Sequence, residues 1–525
     1  MIRYLVYIAF IVLLISCDFK KPVTQEASDN IQSYSNSYQP PAFINDQRKQ
    51  IIEDIALAIQ KLIEEHAHNS NIPGIAYGIV VDDSLLLASA TGLINLDLEL
   101  PATINSSFRI ASMTKSFTAM AILKLRDEGK LKLEDLVSDY IPEMANLSYL
   151  TKDAPAIDIQ NLLTMTTGFP EDNPWGDRLL EETDSMLIAL IAEGVSFSNV
   201  PSLNFEYSNT GYALLGNIVS RVSGMPYQEY IQENILLPLE MKNTYWEYSS
   251  IPENKLALGY RWEDEQWKSE PMLHDGSYGA MGGLITSIED FGKYVSFHLS
   301  AWPPRNGEDE GPVKRSSIRE MHTPQFSHLN SNSKDLNGEP CPTISGYGYG
   351  LGISRNCEGK TWIQHGGALP GFGSNFIFFP EYGIGLMAFC NLTYTSPWPL
   401  KEINKLLFES SDLQTRQLPV SEILEQRQKQ IVKLIQTWDP ALEAEILAEN
   451  FYMDESRDHR MESIQKILDE AGTIVTVEKM EPFNQLRGTF NIQAKNGVID
   501  LYFTLSPEKN PKVQYLDAYF KPKEK

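Results

Sequence analysis

Cysteine is scarce in this chain, with four residues in 525, at positions 17, 341, 357 and 390. No two stand in C-x-x-C spacing and none clusters with histidine, so no metal site and no cofactor are expected. Positive charge is also short. Lysine and arginine number 44 against 69 aspartates and glutamates, a net charge of -25, which argues against nucleic acid or an anionic lipid surface as partner. Long apolar runs are missing except for Tyr4 to Ile15, and that one is too short to cross a bilayer comfortably. Internal repeats are absent too. What remains, 42% hydrophobic and 22% charged residues, fits a globular protein with real cores. The length is too great for one ordinary domain, so two are expected.

The short apolar run follows Arg3 and ends in Leu14-Ile15-Ser16-Cys17. A basic start and an apolar stretch of this length read as a signal peptide, and its end resembles a bacterial lipobox. That resemblance implies cleavage before Cys17 and lipidation of its thiol. The competing reading is an uncleaved anchor helix with an incidental cysteine. Both place the bulk of the chain outside the cytoplasm, in a bacterial cell envelope, periplasmic or surface-exposed and held to a membrane at the N-terminus. In such an oxidising compartment Cys341 and Cys357 could pair, leaving Cys390 over.

Residues 18–45 are rich in Ser, Asn, Gln and Pro and read as a flexible tether. Ile51, Ile52, Ile55, Ile59, Leu62 and Ile63 have helical spacing. Ile75–Val81 and Leu85–Ala90, separated by Asp82-Asp83-Ser84, read as a hairpin. A helix-rich stretch runs from Ser112 to Tyr230, and Ser287–Leu299 reads as a helix capped by Ser287. The polar, Pro- and Gly-rich stretch from Ala301 to Pro342 reads as a surface insertion. Strand-like runs follow at Tyr347–Ser354, Thr361–Gln364, Phe376–Phe379 and Ile384–Cys390. Strands, then helices, then strands predict an α+β fold, an antiparallel sheet flanked by helices with a helical lobe, over residues 46–410. Residues 419–525, helical patterns then strands, predict a small α+β domain of unknown role.

One constellation carries chemistry. Ser112-Met113-Thr114-Lys115 opens an apolar helix, and positions three apart lie on one helical face. A free serine hydroxyl is a poor nucleophile, and an amine one turn away can take its proton or stabilise the alkoxide. The helix N-terminus adds positive dipole near the reacting oxygen. The four-residue pattern alone is weak, since it recurs at Ser331–Lys334, Ser463–Lys466 and Ser506–Lys509. Only Ser112 has both an apolar entry, Phe108-Arg109-Ile110-Ala111, and an apolar helix behind it.

Phe108 to Phe117, F-R-I-A-S-M-T-K-S-F, resembles the nucleophile segment of serine β-lactamases and low-molecular-weight penicillin-binding proteins, nearest to class C β-lactamases, D-alanyl-D-alanine carboxypeptidases and related esterases. Tyr207-Ser208-Asn209 resembles the second motif of that family in its Y-x-N form. The resemblance implies that Tyr207 acts as, or beside, the general base and that Asn209 contacts the substrate amide. His365-Gly366-Gly367-Ala368 resembles the H-x-G that replaces K-T-G in esterase-like and peptidase-like members. It implies that His365, Gly367 and Ala368 line the substrate strand, with the N–H groups of Ala368 and Ser112 as oxyanion hole. Tyr34-Ser35-Asn36 in the tether and His274-Asp275-Gly276 before a Gly-rich turn are competing matches. Leu162–Gly168 and Gly282-Gly283-Leu284 match supporting stretches, with Met165 where the family usually has histidine.

The resemblance implies a serine hydrolase that forms an acyl-enzyme on D-amino-acid peptides, small esters or β-lactams, its partners being a small-molecule or peptide substrate. A histidine in place of the K-T-G lysine favours peptidase or esterase activity over strong β-lactamase activity. The competing class is a lipid-anchored penicillin-binding sensor or binding protein with little or no turnover. An intact set of Ser112, Lys115 and Tyr207 favours the enzyme.

Overall fold

Alternation of apolar residues along short strands builds most of the frame. In this computed structural model, residues 33–409 and 411–523 are described; Cys17 and the signal segment lie outside them. Strands β1 (Gly74–Val81), β2 (Ser84–Asn95) and β3 (Leu100–Pro101) follow an opening helix, Arg48–Asn69. Next come two two-stranded pairs, β4 (Phe108–Arg109) with β7 (Ile285–Thr286), and β5 (Tyr260–Glu263) with β6 (Gln266–Ser269). Strands β8 (Phe326–Asn330), β9 (Thr343–Tyr347), β10 (Gly352–Arg355), β11 (Thr361–Leu369), β12 (Phe372–Phe379) and β13 (Ile384–Cys390) complete the main sheet. Its order is β3-β2-β1-β13-β12-β11-β10-β9-β8, antiparallel throughout.

The sheet has a core on each face. On one, Phe376, Phe378 and Phe389 pack with the helical lobe, including the Thr114–Asp127 and Asn209–Ser223 helices. On the other, Ile377, Phe379 and Ile384 pack under Arg48–Asn69 and Leu400–Phe408. Helix Thr114–Asp127 is buried almost all round, which explains its lack of a polar face. Asp82 turns the predicted β1–β2 hairpin at φ 52°.

Several expectations are corrected. The stretch from Ala301 to Pro342 is not all surface insertion. Helix Arg315–Met321 sends Ile318 and Met321 into the core, and β8 adds an edge strand to the sheet. Seven residues of helix are too short for periodicity to show. The run Tyr347–Ser354 is broken between β9 and β10 by Gly348 and Gly350, and Gly350 takes φ 71°. The strand expected over Thr361–Gln364 is longer, since β11 extends through the third motif to Leu369.

In the C-terminal part, helices Glu422–Thr437, Pro440–Ile446 and Arg457–Ala471 pack on β14 (Ile474–Val477), β15 (Glu481–Asn484), β16 (Arg487–Ala494), β17 (Gly497–Leu505) and β18 (Val513–Pro522). The described residues from Gln39 onward group as one compact unit, but this part keeps a core of its own around Ile431, Phe490 and Phe503. Cys341 and Cys357, sixteen residues apart, are joined in a disulfide, and Cys390 is a buried free thiol.

Candidate active site

Ser112 sits in a tight 3-10 turn, Ala111–Met113, just ahead of the Thr114–Asp127 helix rather than inside it. Ala111 takes φ 50°, a left-handed conformation that costs a non-glycine residue energy and that clusters at functional turns. The turn is held from below: the Ser374 hydroxyl on β12 donates to the Ile110 carbonyl at 2.7 Å.

Lys115 enters from the buried helix and is 0% exposed. Its Nζ lies 3.0 Å from Ser112 Oγ, and it donates to Asn209 Oδ1 at 2.7 Å and to the Met281 carbonyl at 3.0 Å. Burial pulls its pKa down to about 7, against the opposing pull of Asp177 and Asp172. A neutral amine has two N–H groups, which Asn209 and Met281 satisfy, and one lone pair, which then faces Ser112. The geometry therefore suits a lysine that accepts the serine proton. Met281 lies in the Gly279–Gly282 helical turn, immediately ahead of the Gly282-Gly283-Leu284 match, so the residue before that match supplies a ligand for the amine.

Tyr207 and Asn209 flank Ser208, whose hydroxyl caps the Asn209–Ser223 helix through the Gly211 N–H. The Asp172 carboxylate accepts the next free N–H groups, from Asn209 at 2.6 Å and Thr210 at 2.9 Å. The Tyr207 hydroxyl hydrogen-bonds the Ser112 side chain, and burial pushes its pKa up. The phenol is therefore a neutral donor and acceptor. Its ring stands 4.9 Å from Lys115 Nζ.

Strand β11 supplies the third wall. Pairing with β10 ends at Gln364, while β12 continues alongside to Leu369. One edge of His365–Leu369 is thus left without a strand partner among the described residues. Gly367 runs so close to the Ser112 turn that a Cβ would overlap the Ile110 carbonyl oxygen and the Ser374 hydroxyl. His365 Nδ1 lies 2.5 Å from the Gly366 carbonyl and so carries the hydrogen, and Nε2 accepts from the Tyr347 hydroxyl at 3.1 Å. Burial and the nearby Lys115 pull its pKa down to about 4, so this histidine is neutral at ordinary pH.

Ser112, Tyr207, His365, Gly367 and Ala368 line one cavity of about 650 Å³, with Lys115 and Asn209 beneath them. His274 lies elsewhere, exposed, against Glu247 and Tyr248. The decoy serines also fall apart: Ser331–Lys334 is a turn, and Ser463 and Ser506 lie in the C-terminal part. The cavity wall holds residues that motif reading passed over: Asn173, Asp177, Arg178, Asn375 and Tyr394. Asn173 to Arg178 run through one short helical turn, Asn173–Gly176, in an acidic, Pro-containing stretch with no apolar period, and such a stretch carries no sequence signal that separates cavity wall from surface. Among the described residues no cluster of His, Cys, Asp and Glu could hold a metal ion.

Comparison with known proteins agrees with this geometry. The beta-lactamase family model matches residues 59–408. Protein flp of Staphylococcus aureus (strain MW2) is 28% identical over 347 residues, 65% of this chain and 64% of that protein. Beta-lactamase-like protein 4 of Dictyostelium discoideum is 28% identical over 360 residues, 65% of this chain and 60% of its own length. The chain thus spans less than two thirds of these relatives. The octameric penicillin-binding protein homologue from Pyrococcus abyssi superposes with TM-score 0.55 at 23% identity, covering 89% of this chain and 98% of its own. That coverage is more than residues 1–418 alone could supply, so the likeness in fold reaches into the C-terminal part. A class C beta-lactamase mutant gives TM-score 0.54 at 19% identity, covering 70% of this chain and all of that one.

Proposed function

Because the chain belongs to the beta-lactamase family, we propose that it is a serine hydrolase working through an acyl-enzyme on Ser112. The observation that carries this reading is the buried Lys115 amine 3.0 Å from Ser112 Oγ, its other contacts being the acceptors Asn209 Oδ1, the Met281 carbonyl and, at 3.8 Å, the Met281 sulfur. In the proposed first step the Ser112 proton passes to neutral Lys115 as Oγ bonds to the substrate carbonyl carbon. The carbonyl oxygen, now negative, is held by the N–H groups of Ser112 and Ala368. The carbon–leaving group bond then breaks, and the leaving amine or alkoxide takes up a proton delivered through Tyr207, replenished from Lys115. Water completes the cycle by attacking the acyl-enzyme, and its proton returns along the same path.

The neutral state of His365 favours amide and ester substrates over those that need a cation at this strand to bind a carboxylate. We further propose export and lipid attachment at Cys17. The disulfide between Cys341 and Cys357 fits an oxidising compartment.

Intact-mass spectrometry of the chain from Lys20 onward, treated with a fluorophosphonate and separately with a penicillin, tests the chemistry. An adduct on the unaltered chain that vanishes in Ser112→Ala is expected, and its decay rate separates hydrolase from slow-turnover sensor. A folded chain that takes neither reagent would sink the reading.

A further inference from the structure

Beneath the cavity the hydrogen bonds of Lys115 do not stop at Asn209. The Asn209 amide nitrogen donates to Asn173 Oδ1 at 3.2 Å and to Asp177 Oδ1 at 3.4 Å. Asp177 Oδ2 accepts from the Tyr394 hydroxyl at 3.1 Å. With two acceptors drawing its nitrogen one way, the amide cannot flip, and its oxygen must face Lys115. Two further features are built around this arrangement. Gly176 packs flat on Asn209, where a Cβ would come within 2.9 Å of the Asn209 Cβ. Tyr394, which holds the far oxygen of Asp177, sits in the left-handed region at φ 50°.

We propose that Asp177 is a positioning residue for this active site: through Asn209 it fixes the amide oxygen that orients Lys115, and it supplies a negative charge facing that lysine. The inference rests on the acyl-enzyme reading above. Asp177 is 3% exposed, and burial pushes its pKa up while Lys115 is the chief force drawing it back. Asp177 is in turn the largest charge stabilising the Lys115 ammonium, ahead of Asp172. The other titratable groups about Lys115 are neutral: Tyr207 and Tyr212, whose rings lie near Nζ, and His365. About Asp177 they are Lys115, Arg178, Asp172 and Tyr394. Removing the Asp177 charge therefore makes the ammonium less stable, so that Lys115 becomes a free base at lower pH.

The test is the rate constant for fluorophosphonate labelling of Ser112 from pH 5 to 9. In Asp177→Asn the acid limb is expected to move down by about one pH unit, and the plateau to fall about ten- to a hundredfold as the amide loses its fixed direction. Asp177→Glu, which restores the charge, is expected to bring the limb back towards the unaltered position. A merely structural role would lower the plateau and leave the limb in place, and a limb coincident with the unaltered protein overturns the proposal. If Asp177→Asn does not fold, Tyr394→Phe removes one donor to the carboxylate and is expected to move the limb in the same direction by less; an unmoved limb there overturns it equally. An unaltered protein that takes no label overturns the acyl-enzyme reading instead, so the two failures are distinct.

Discussion

Lysine is costly to bury, and Lys115 is buried completely. Water solvates an ammonium far better than a protein interior does, so burial alone favours the neutral amine. Here that is useful chemistry, because a base poised near pH 7 is present in quantity and still accepts a proton. Labelling of Ser112 in the unaltered protein is therefore expected to rise about tenfold per pH unit below pH 7 and to level off above, since Lys115 must first lose its proton. His365, neutral from about pH 5 upward, adds no limb in that range. Lys115→Ala is expected to cut the plateau by about 10²- to 10⁴-fold. Tyr207→Phe, whose phenol does not titrate in this range, is expected to keep the limb in place. A limb that follows Tyr207 rather than Lys115 would reverse the two roles. The spacing of Ser112 to Lys115 was legible in the sequence because the pair lies within one turn of chain, and Tyr207 to Asn209 was legible as a contiguous motif resembling that of a known family. Asp177 and Tyr394 were not, because Asp177 meets Asn209, and Tyr394 meets Asp177, only across the fold.

Two adjacent glycines on β11 carry different burdens. Gly367 lies against the Ser112 turn with no room for a Cβ, whereas at Gly366 a Cβ would meet Asn375 Nδ2 at 3.4 Å, an ordinary contact. Gly367→Ala is expected to cost about 1–3 kcal/mol from overpacking and to lose labelling by displacing the strand from Ser112. Gly366→Ala is expected to keep the urea midpoint within error of the unaltered protein. Equal loss of stability in both would mean that the strand, rather than its approach to the turn, sets the requirement. At this scale the apolar runs announced β1 and β13 well, and the second half of β12. The continuation of β11 through Gly366 and Gly367 was hidden, since glycine is a poor strand former and marks a close backbone approach that only a partner can justify.

For the whole molecule, the question is what the C-terminal part contributes. Its core is separate from the two that enclose the main sheet, so each part has the means to fold alone. The linker is less independent. Gln417 pairs with Ala42, and Arg416 forms an ion pair with Asp82 at 2.8 Å. A chain ending after Leu418 keeps both and is expected to fold, to label at Ser112, and to do so at a rate within about threefold of the full chain, as the cavity has no wall from beyond that point. A large loss of labelling in the folded, shortened chain would give the C-terminal part a role in catalysis.

The sequence by itself determined the nucleophile pair and the class of fold, because local spacing and apolar periodicity encode which side chains share a face, and it carried the second motif through its resemblance to a known family. It also marked the C-terminal part as separate, through a fresh start of helical and strand patterns. Tertiary structure decided the rest: that Ala111 is strained, that Met281 and Asn209 leave the Lys115 lone pair for Ser112, that His365 is neutral, and that Asp177 stands behind them. Each depends on burial or on contact between residues far apart in the chain. Neither exists until the sheet and the helical lobe close on one another.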